Sequence, residues 1–392
     1  SEPSGALLPT SESATYAVTE TVPPGWDQTS ASCSDGSDPS AIDLAPDEAV
    51  VCTFTNTQRG ELVVAKAIES VDPAAVGVEF DFTGAVEIVD PGLTGGESES
   101  LEVLPNATYD VSEVLPEGWD LTGVDCLDGV DANSSGDAGT ATATFNVEPG
   151  ETVMCTFTNT QRGRVVVEKV IDSVDPDASS VEFAFATSYD PGGFSLVGGA
   201  SNESALLVPG TYSVSEAPVP DGWDLTSATC SDGSGPDAID LGPGEVVTCT
   251  FTNTQRGQIV VEKQTLPEGD PATFGFAGDV VATLGDGQSA SASVAPGSYT
   301  SAETVPDGWD LTGVACDDDN SVGDAGAASA TFNVEPGETV TCVFTNTKDG
   351  TIVVAKATDP LDSAETFDFA GDVSATLGNG ESMGVAVAPG TY

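Results

Sequence analysis

Five lysines occur in this chain of 392 residues, and four of them stand at one repeated place. Lys66, Lys169, Lys263 and Lys356 each close a run of the form apolar-Val-Val-X-Lys. Side chains alternate across a β-strand, so each lysine shares a face with the apolar residues two and four places before it. That face points inward. A buried lysine is costly unless it is paired or neutral. Two other polar residues ride on inward faces in the same way: Asn253 with Cys249 and Phe251, and Glu216 with Tyr212 and Val214. The three together suit either a buried Lys–Glu ion pair bonded by the asparagine, or a covalent link between them. Tyr109, Val111 and Glu113 keep the same register, whereas Ser301 stands where a valine is expected between Tyr299 and Glu303.

Eight cysteines form the second set able to do chemistry. Two cysteines without any histidine make a poor zinc site, so disulfides are expected as Cys33–Cys52, Cys126–Cys155, Cys230–Cys249 and Cys316–Cys342. Each closes a loop worth roughly 3 kcal/mol in the loop-entropy model. An extracellular, oxidising setting follows. Carboxylates gather between the cysteines. Asp317, Asp318, Asp319 and Asp324, like Asp128, Asp131 and Asp137, offer oxygen ligands that could hold Ca²⁺, although no EF-hand spacing appears. No other cofactor is expected. Asn106, Asn133 and Asn202 open sequons permissive for glycosylation.

The elements that position these residues repeat along the chain. Gly-Trp-Asp recurs at 25–27, 118–120, 222–224 and 308–310, and Phe-Thr-Asn-Thr at 54–57, 157–160, 251–254 and 344–347. Such repetition marks a module array. Complete modules are expected at 61–163, 164–257 and 258–350, with a back half at 1–60 and a front half at 351–392. The two ends overlap in sequence, as in a window cut from a longer array. Short Val- and Thr-rich strands between Gly- and Pro-rich turns predict an all-β chain: a tandem array of Greek-key, immunoglobulin-like or prealbumin-like β-sandwiches. Pro149-Gly150-Glu151 and Pro243-Gly244-Glu245 read as hairpin turns before the last strand. The short connectors are expected to hold neighbours in a defined relation.

Composition removes whole classes of function. There are 64 acidic and 9 basic residues and no histidine, for a net charge of −55. Such a surface repels nucleic acid and anionic lipid. No apolar run approaches the roughly 20 residues of a membrane span. No nucleophile stands in a recognisable motif, so an enzyme is not expected. A spacer or filament module at the cell surface, with neighbouring modules or copies of itself as partners, fits best. The alternative is an adhesin or carbohydrate-binding repeat using the acidic loops. No surface ligand is legible.

The segments at 16–26, 109–119 and 212–223 resemble the glutamate-containing box of Cna-B-type and SpaA-type domains, found in Gram-positive pilins and adhesin stalks. Tryptophan replaces the usual tyrosine after the glycine. The resemblance spans every module and implies prealbumin-like sandwiches, many of which form a spontaneous Lys–Asn isopeptide bond. Carried over, it joins Lys66 to Asn159 with Glu113 assisting, Lys169 to Asn253 with Glu216, and Lys263 to Asn346 with Glu303. Glu20, Asn56 and Lys356 are the counterparts in the two partial modules. The wall-sorting motif of such pilins is not present in these residues; Leu8-Pro9-Thr10-Ser11 is not one.

Overall fold

The computed structural model describes residues 15–84, 92–129 and 132–392. Asp131 and residues 8–11 lie outside them. Contacts divide the chain into two compact units, one of 1–165 with 204–211 and 240–247, the other of 166–203, 212–239 and 248–392. Strands dominate both.

In the first unit one sheet runs in the order Ser98–Val103, Gly60–Glu69, Thr152–Gln161, Trp119–Asp128. A second runs Ser135–Asp137, Thr142–Val147, Ala107–Val114, Asp81–Gly84. Period two turns Val153, Cys155 and Phe157 of the first sheet toward Val111, Phe145 and Val147 of the second, and all six are buried in one core. This is a β-sandwich. The preceding repeat contributes Trp26–Cys33 paired with Cys52–Gln58.

The second unit repeats the plan. Ser289–Val294, Gly257–Leu266, Thr339–Lys348 and Trp309–Cys316 form one sheet. Opposite it stand Ala282–Leu284, Phe274–Gly278, Gly297–Thr304, Ser329–Val334 and Val322–Asp324. Another repeat sets Arg164–Asp172 beside Val246–Gln255, itself flanked by Trp223–Cys230. The chain then continues into a hairpin-like pair, Gly350–Ala355 with Ser382–Val387.

The first and last strands of a repeat lie side by side and parallel, Gly60–Glu69 against Thr152–Gln161 and Gly257–Leu266 against Thr339–Lys348. Antiparallel neighbours need only a tight turn, whereas this parallel pair is joined through the whole repeat.

The Pro-Gly-Glu turns do not close hairpins, contrary to the sequence reading. Thr142–Val147 pairs with Ala107–Val114 in one sheet, while Thr152–Gln161 joins the other. The turn at 149–151 therefore arches between sheets, as does the one at 336–338 between Ser329–Val334 and Thr339–Lys348. The Pro243 turn likewise leads into a strand whose neighbours are Arg164–Asp172 and Trp223–Cys230. Turn chemistry reverses the chain in either case; the facing of Val147 and Val153 into one core selects the arch.

Gly257 opens its strand where a Cβ would come within 2.7 Å of the Glu338 carbonyl and collide with Val334. Gly257→Ala should therefore cost about 1–3 kcal/mol by overpacking, read as a lower urea midpoint. An unchanged midpoint would show that the strand shifts freely.

Candidate functional site

Strand register brings the lysine, asparagine and glutamate together. Lys66 lies opposite Phe157, and Ile68 opposite Asn159, across the parallel pair. Lys66 and Asn159 thus project from adjacent strands of one sheet into the core. Glu113 comes from the facing sheet, opposite Phe82. The same placement recurs with Lys263, Asn346 and Glu303, and Glu216 stands opposite Phe185.

The lysine nitrogens are fully enclosed. Lys66 Nζ donates to Asn159 Oδ1 at 2.8 Å, the Phe157 carbonyl at 3.0 Å and the Ala67 carbonyl at 2.7 Å. Lys169 Nζ reaches Asn253 Oδ1 at 2.9 Å, and Lys263 Nζ reaches Asn346 Oδ1 at 2.8 Å. The carboxylates stand at ion-pair range: 3.5 Å for Glu113, 3.8 Å for Glu216 and 3.8 Å for Glu303. All nine residues are buried, the three asparagines at 0% exposure.

Burial shifts both charges toward neutrality. Desolvation lowers Lys66, Lys169 and Lys263 each to about 8, against the opposing pull of the glutamates. Desolvation likewise raises Glu113, Glu216 and Glu303, with the lysines and asparagines opposing. Both oxygens of Glu113 and Glu303 lack a hydrogen-bond partner, as do the amide nitrogens of Asn159 and Asn346. Unpartnered buried carboxylate oxygens favour the protonated acid. In the third copy Asn253 Nδ2 donates to Glu216 Oε1 at 2.5 Å.

Two features escaped the sequence reading. A phenylalanine ring underlies each lysine nitrogen, Phe80 and Phe183 at 4.1 Å and Phe274 at 4.3 Å from the ring centre. Each ring meets a tryptophan of the Gly-Trp-Asp phrase edge-on at 5.2 Å. The recurrence of a phenylalanine 11 or 14 places after the lysine was the available signal. Beside each asparagine, moreover, the Trp-bearing strand bulges at Thr122, Thr226 or Thr312. A bulge re-aims neighbouring side chains. The threonine hydroxyl then bonds the carbonyl before the asparagine, at 3.1 Å for Thr122 and 3.2 Å for the other two.

The stretches before residue 60 and after residue 350 hold pieces of the same site. Asn56 Nδ2 donates to Glu20 Oε1 at 2.7 Å, and Asn56 Oδ1 has no partner. Lys356 Nζ sits 4.0 Å from the centre of the Phe367 ring.

All eight cysteines are paired, as Cys33–Cys52, Cys126–Cys155, Cys230–Cys249 and Cys316–Cys342. Each pair sits directly opposite across the last strand and its antiparallel neighbour. The acidic loops turn their carboxylates on themselves. Asp317 Oδ1 accepts from the Thr341 amide, Asp318 Oδ2 from Ser321 and Asp324 Oδ1 from the Ala327 amide. Asp319 is exposed. Asp128 Oδ2 accepts from the Asn133 and Ser134 amides, and Asp137 Oδ1 from that of Gly139. Among the described residues no group of three or more His, Cys, Asp or Glu side chains is gathered to hold a metal ion. Asn106 and Asn133 are exposed and Asn202 is half-buried.

The sequence profile of the prealbumin-like fold domain matches residues 2–58, 67–161, 173–255 and 259–348. The chain belongs to this prealbumin-like fold family. Among solved structures it is similar to the Bacillus anthracis TIE protein, at 17% identity and a TM-score of 0.32, over 84% of this chain and 67% of that one. It is similar to the pilus adhesin SpaC from Lactobacillus rhamnosus GG, at 17% identity and a TM-score of 0.24, over 78% and 46%. A mutant of the major pilin from Streptococcus pyogenes matches at 14% identity and a TM-score of 0.23, over 49% and 98%. The chain thus spans about two thirds of the first of these proteins and under half of the second. No curated protein sequence matches it. Among the described residues no helix is long and apolar enough to cross a membrane.

Proposed function

We propose that these prealbumin-like domains form a structural stretch of an extracellular surface stalk, fibre or filament, reinforced by disulfides and by Lys–Asn isopeptide bonds. The observation that carries this reading is the threefold convergence of a buried lysine and asparagine from adjacent first and last strands with a glutamate from the facing sheet. The names of the similar structures, a pilus adhesin and a major pilin, agree with a surface role.

The chemistry balances without a cofactor. The neutral Lys169 amine attacks the side-chain carbonyl carbon of Asn253, forming a C–N bond. Glu216, whose carboxyl burial shifts toward the protonated form, lies beside the asparagine nitrogen and delivers a proton to it as the old C–N bond breaks. The proton shed by the lysine nitrogen returns to Glu216, and ammonia leaves. Lys66 with Asn159 and Lys263 with Asn346 follow the same course. Each lysine reacts once with its own asparagine, so nothing is turned over.

The intact chain should therefore weigh three ammonia less than its sequence, once the four disulfides are allowed for. Fragment spectra should show Lys66, Lys169 and Lys263 joined to Asn159, Asn253 and Asn346. A mass equal to that of the disulfide-bonded chain alone would leave the buried ion pair and overturn the covalent reading.

A further inference from the structure

Beyond the core site, one cluster recurs between successive family-matched domains. Ser173, four residues past the core lysine of the domain matched at 173–255, donates its hydroxyl to Gln255 Oε1 at that domain's end. The next matched domain, 259–348, brings its Pro336-Gly337 arch against this pair. Val174 donates its amide to the Pro336 carbonyl at 2.8 Å, and Gly337 donates its own to the Gln255 carbonyl at 3.1 Å. Ser173 Oγ also accepts the Asp175 amide at 3.0 Å, which fixes the loop that presents Val174.

The same contacts recur within the other compact unit. Ser70 donates to Gln161 Oε1, Val71 to the Pro243 carbonyl at 2.8 Å, and Gly244 to the Gln161 carbonyl at 3.0 Å. The arch glycine is required by closeness as well as by its positive φ. A Cβ on Gly337 would stand 2.5 Å from Ser173 Oγ and 2.6 Å from Gln255 Oε1, and one on Gly244 would stand 2.5 Å from Gln161 Oε1.

We propose that this is a docking clasp, in which the Pro-Gly arch of one domain recognises a Ser-Val-Asp-Pro loop and a terminal glutamine on the domain before it. The partner is thus another domain of this kind, selected by two side chains. Ser-Val-Asp-Pro stands at 70–73 and 173–176, four residues after Lys66 and Lys169. The domain matched at 259–348 departs at both places together. Pro267 takes the serine position, and Lys348 takes the glutamine position and bonds Asp270 at 2.7 Å instead. That domain therefore lacks the receptor half of the clasp while keeping the arch half. The array has a direction and an order: domains with the serine loop accept a successor tightly, and this one does not accept one by that means.

The Val174 amide reports the clasp directly, because its acceptor lies on the next domain while the residue itself is 54% exposed. Residue-resolved hydrogen exchange on the full chain tests the proposal. In the unmodified chain the Val174 and Gly337 amides should be protected. Ser173→Ala with Gln255→Ala should speed both by about tenfold, as expected for losing the side-chain bonds that brace the contact. Gly337→Ala should do the same at Val174. Gly308→Ala is the control, since its φ is also positive, at 82°, but nothing lies within 4 Å of a Cβ there. Val174 exchanging at the unprotected rate in the unmodified chain, or equally in all variants, would overturn the clasp. The outcome does not depend on whether the isopeptide bonds form.

Discussion

Glu216→Ala should leave Lys169 and Asn253 unjoined and destabilise their domain by about 3–5 kcal/mol, the range for removing one partner of a buried charge pair. Two losses coincide. Without the acid beside Asn253 Nδ2, no group delivers a proton to the departing nitrogen. Without its carboxylate, the lysine keeps only neutral acceptors, the Asn253, Phe251 and Val170 oxygens. Intact mass should show two ammonia lost rather than three. The pH dependence separates these effects. An unlinked Lys169 titrates well below its ordinary 10.5, because desolvation disfavours the charged form. The unfolded chain then binds more protons than the folded one, so the variant's stability should climb with pH until about 10.5. In the linked domain that nitrogen is an amide and does not titrate, so the climb should be missing. Equal pH profiles for the two proteins would rule out the link.

Removing Cys126 and Cys155 together, as alanines, should cost their domain about 3 kcal/mol in the loop-entropy model. The pair spans 29 residues of sequence, against 19 for Cys230–Cys249, so its loss should be slightly the larger. Urea unfolding of the two paired-alanine variants measures both. The disulfide and the lysine grip opposite flanks of one strand: Cys155 is tied to Trp119–Asp128, while Asn159 accepts a hydrogen bond from Lys66 on Gly60–Glu69. Removing either should therefore leave the strand held on its other side and the domain folded. Collapse of the fold on losing the disulfide alone would show that the core site contributes little.

The core site was legible because a strand's period of two admits no intermediate facing. Lys169, Glu216 and Asn253 each sat in phase with neighbouring valines, tyrosines or phenylalanines, and that alone turned them inward. Which strands would be neighbours was not legible. The parallel pairing of Gly60–Glu69 with Thr152–Gln161 is a contact across some ninety residues, and no local pattern encodes it. Pro149-Gly150 misled for a related reason, since an arch between sheets and a hairpin within one use the same turn residues. Phe80 was hidden by distance from Lys66, and the bulge at Thr122 by its lying inside an otherwise regular strand, where a bulge shows only against the partner strand. The clasp was least visible. Val71 and Pro243 are far apart in sequence, and neither residue is unusual alone.

Enclosing three of the five lysines has an outward consequence. Of the lysine side chains, those of Lys348 and Lys356 alone remain at least partly open to solvent, and the former is engaged by Asp270. A chain with 64 acidic residues thus presents almost no side-chain amine to solvent. Acylating labels, aldehydes and enzymes that attach cargo to lysine would find their side-chain targets confined to the stretch after residue 347. A domain that encloses its lysine in this way offers anything that seeks a side-chain amine no target at that position.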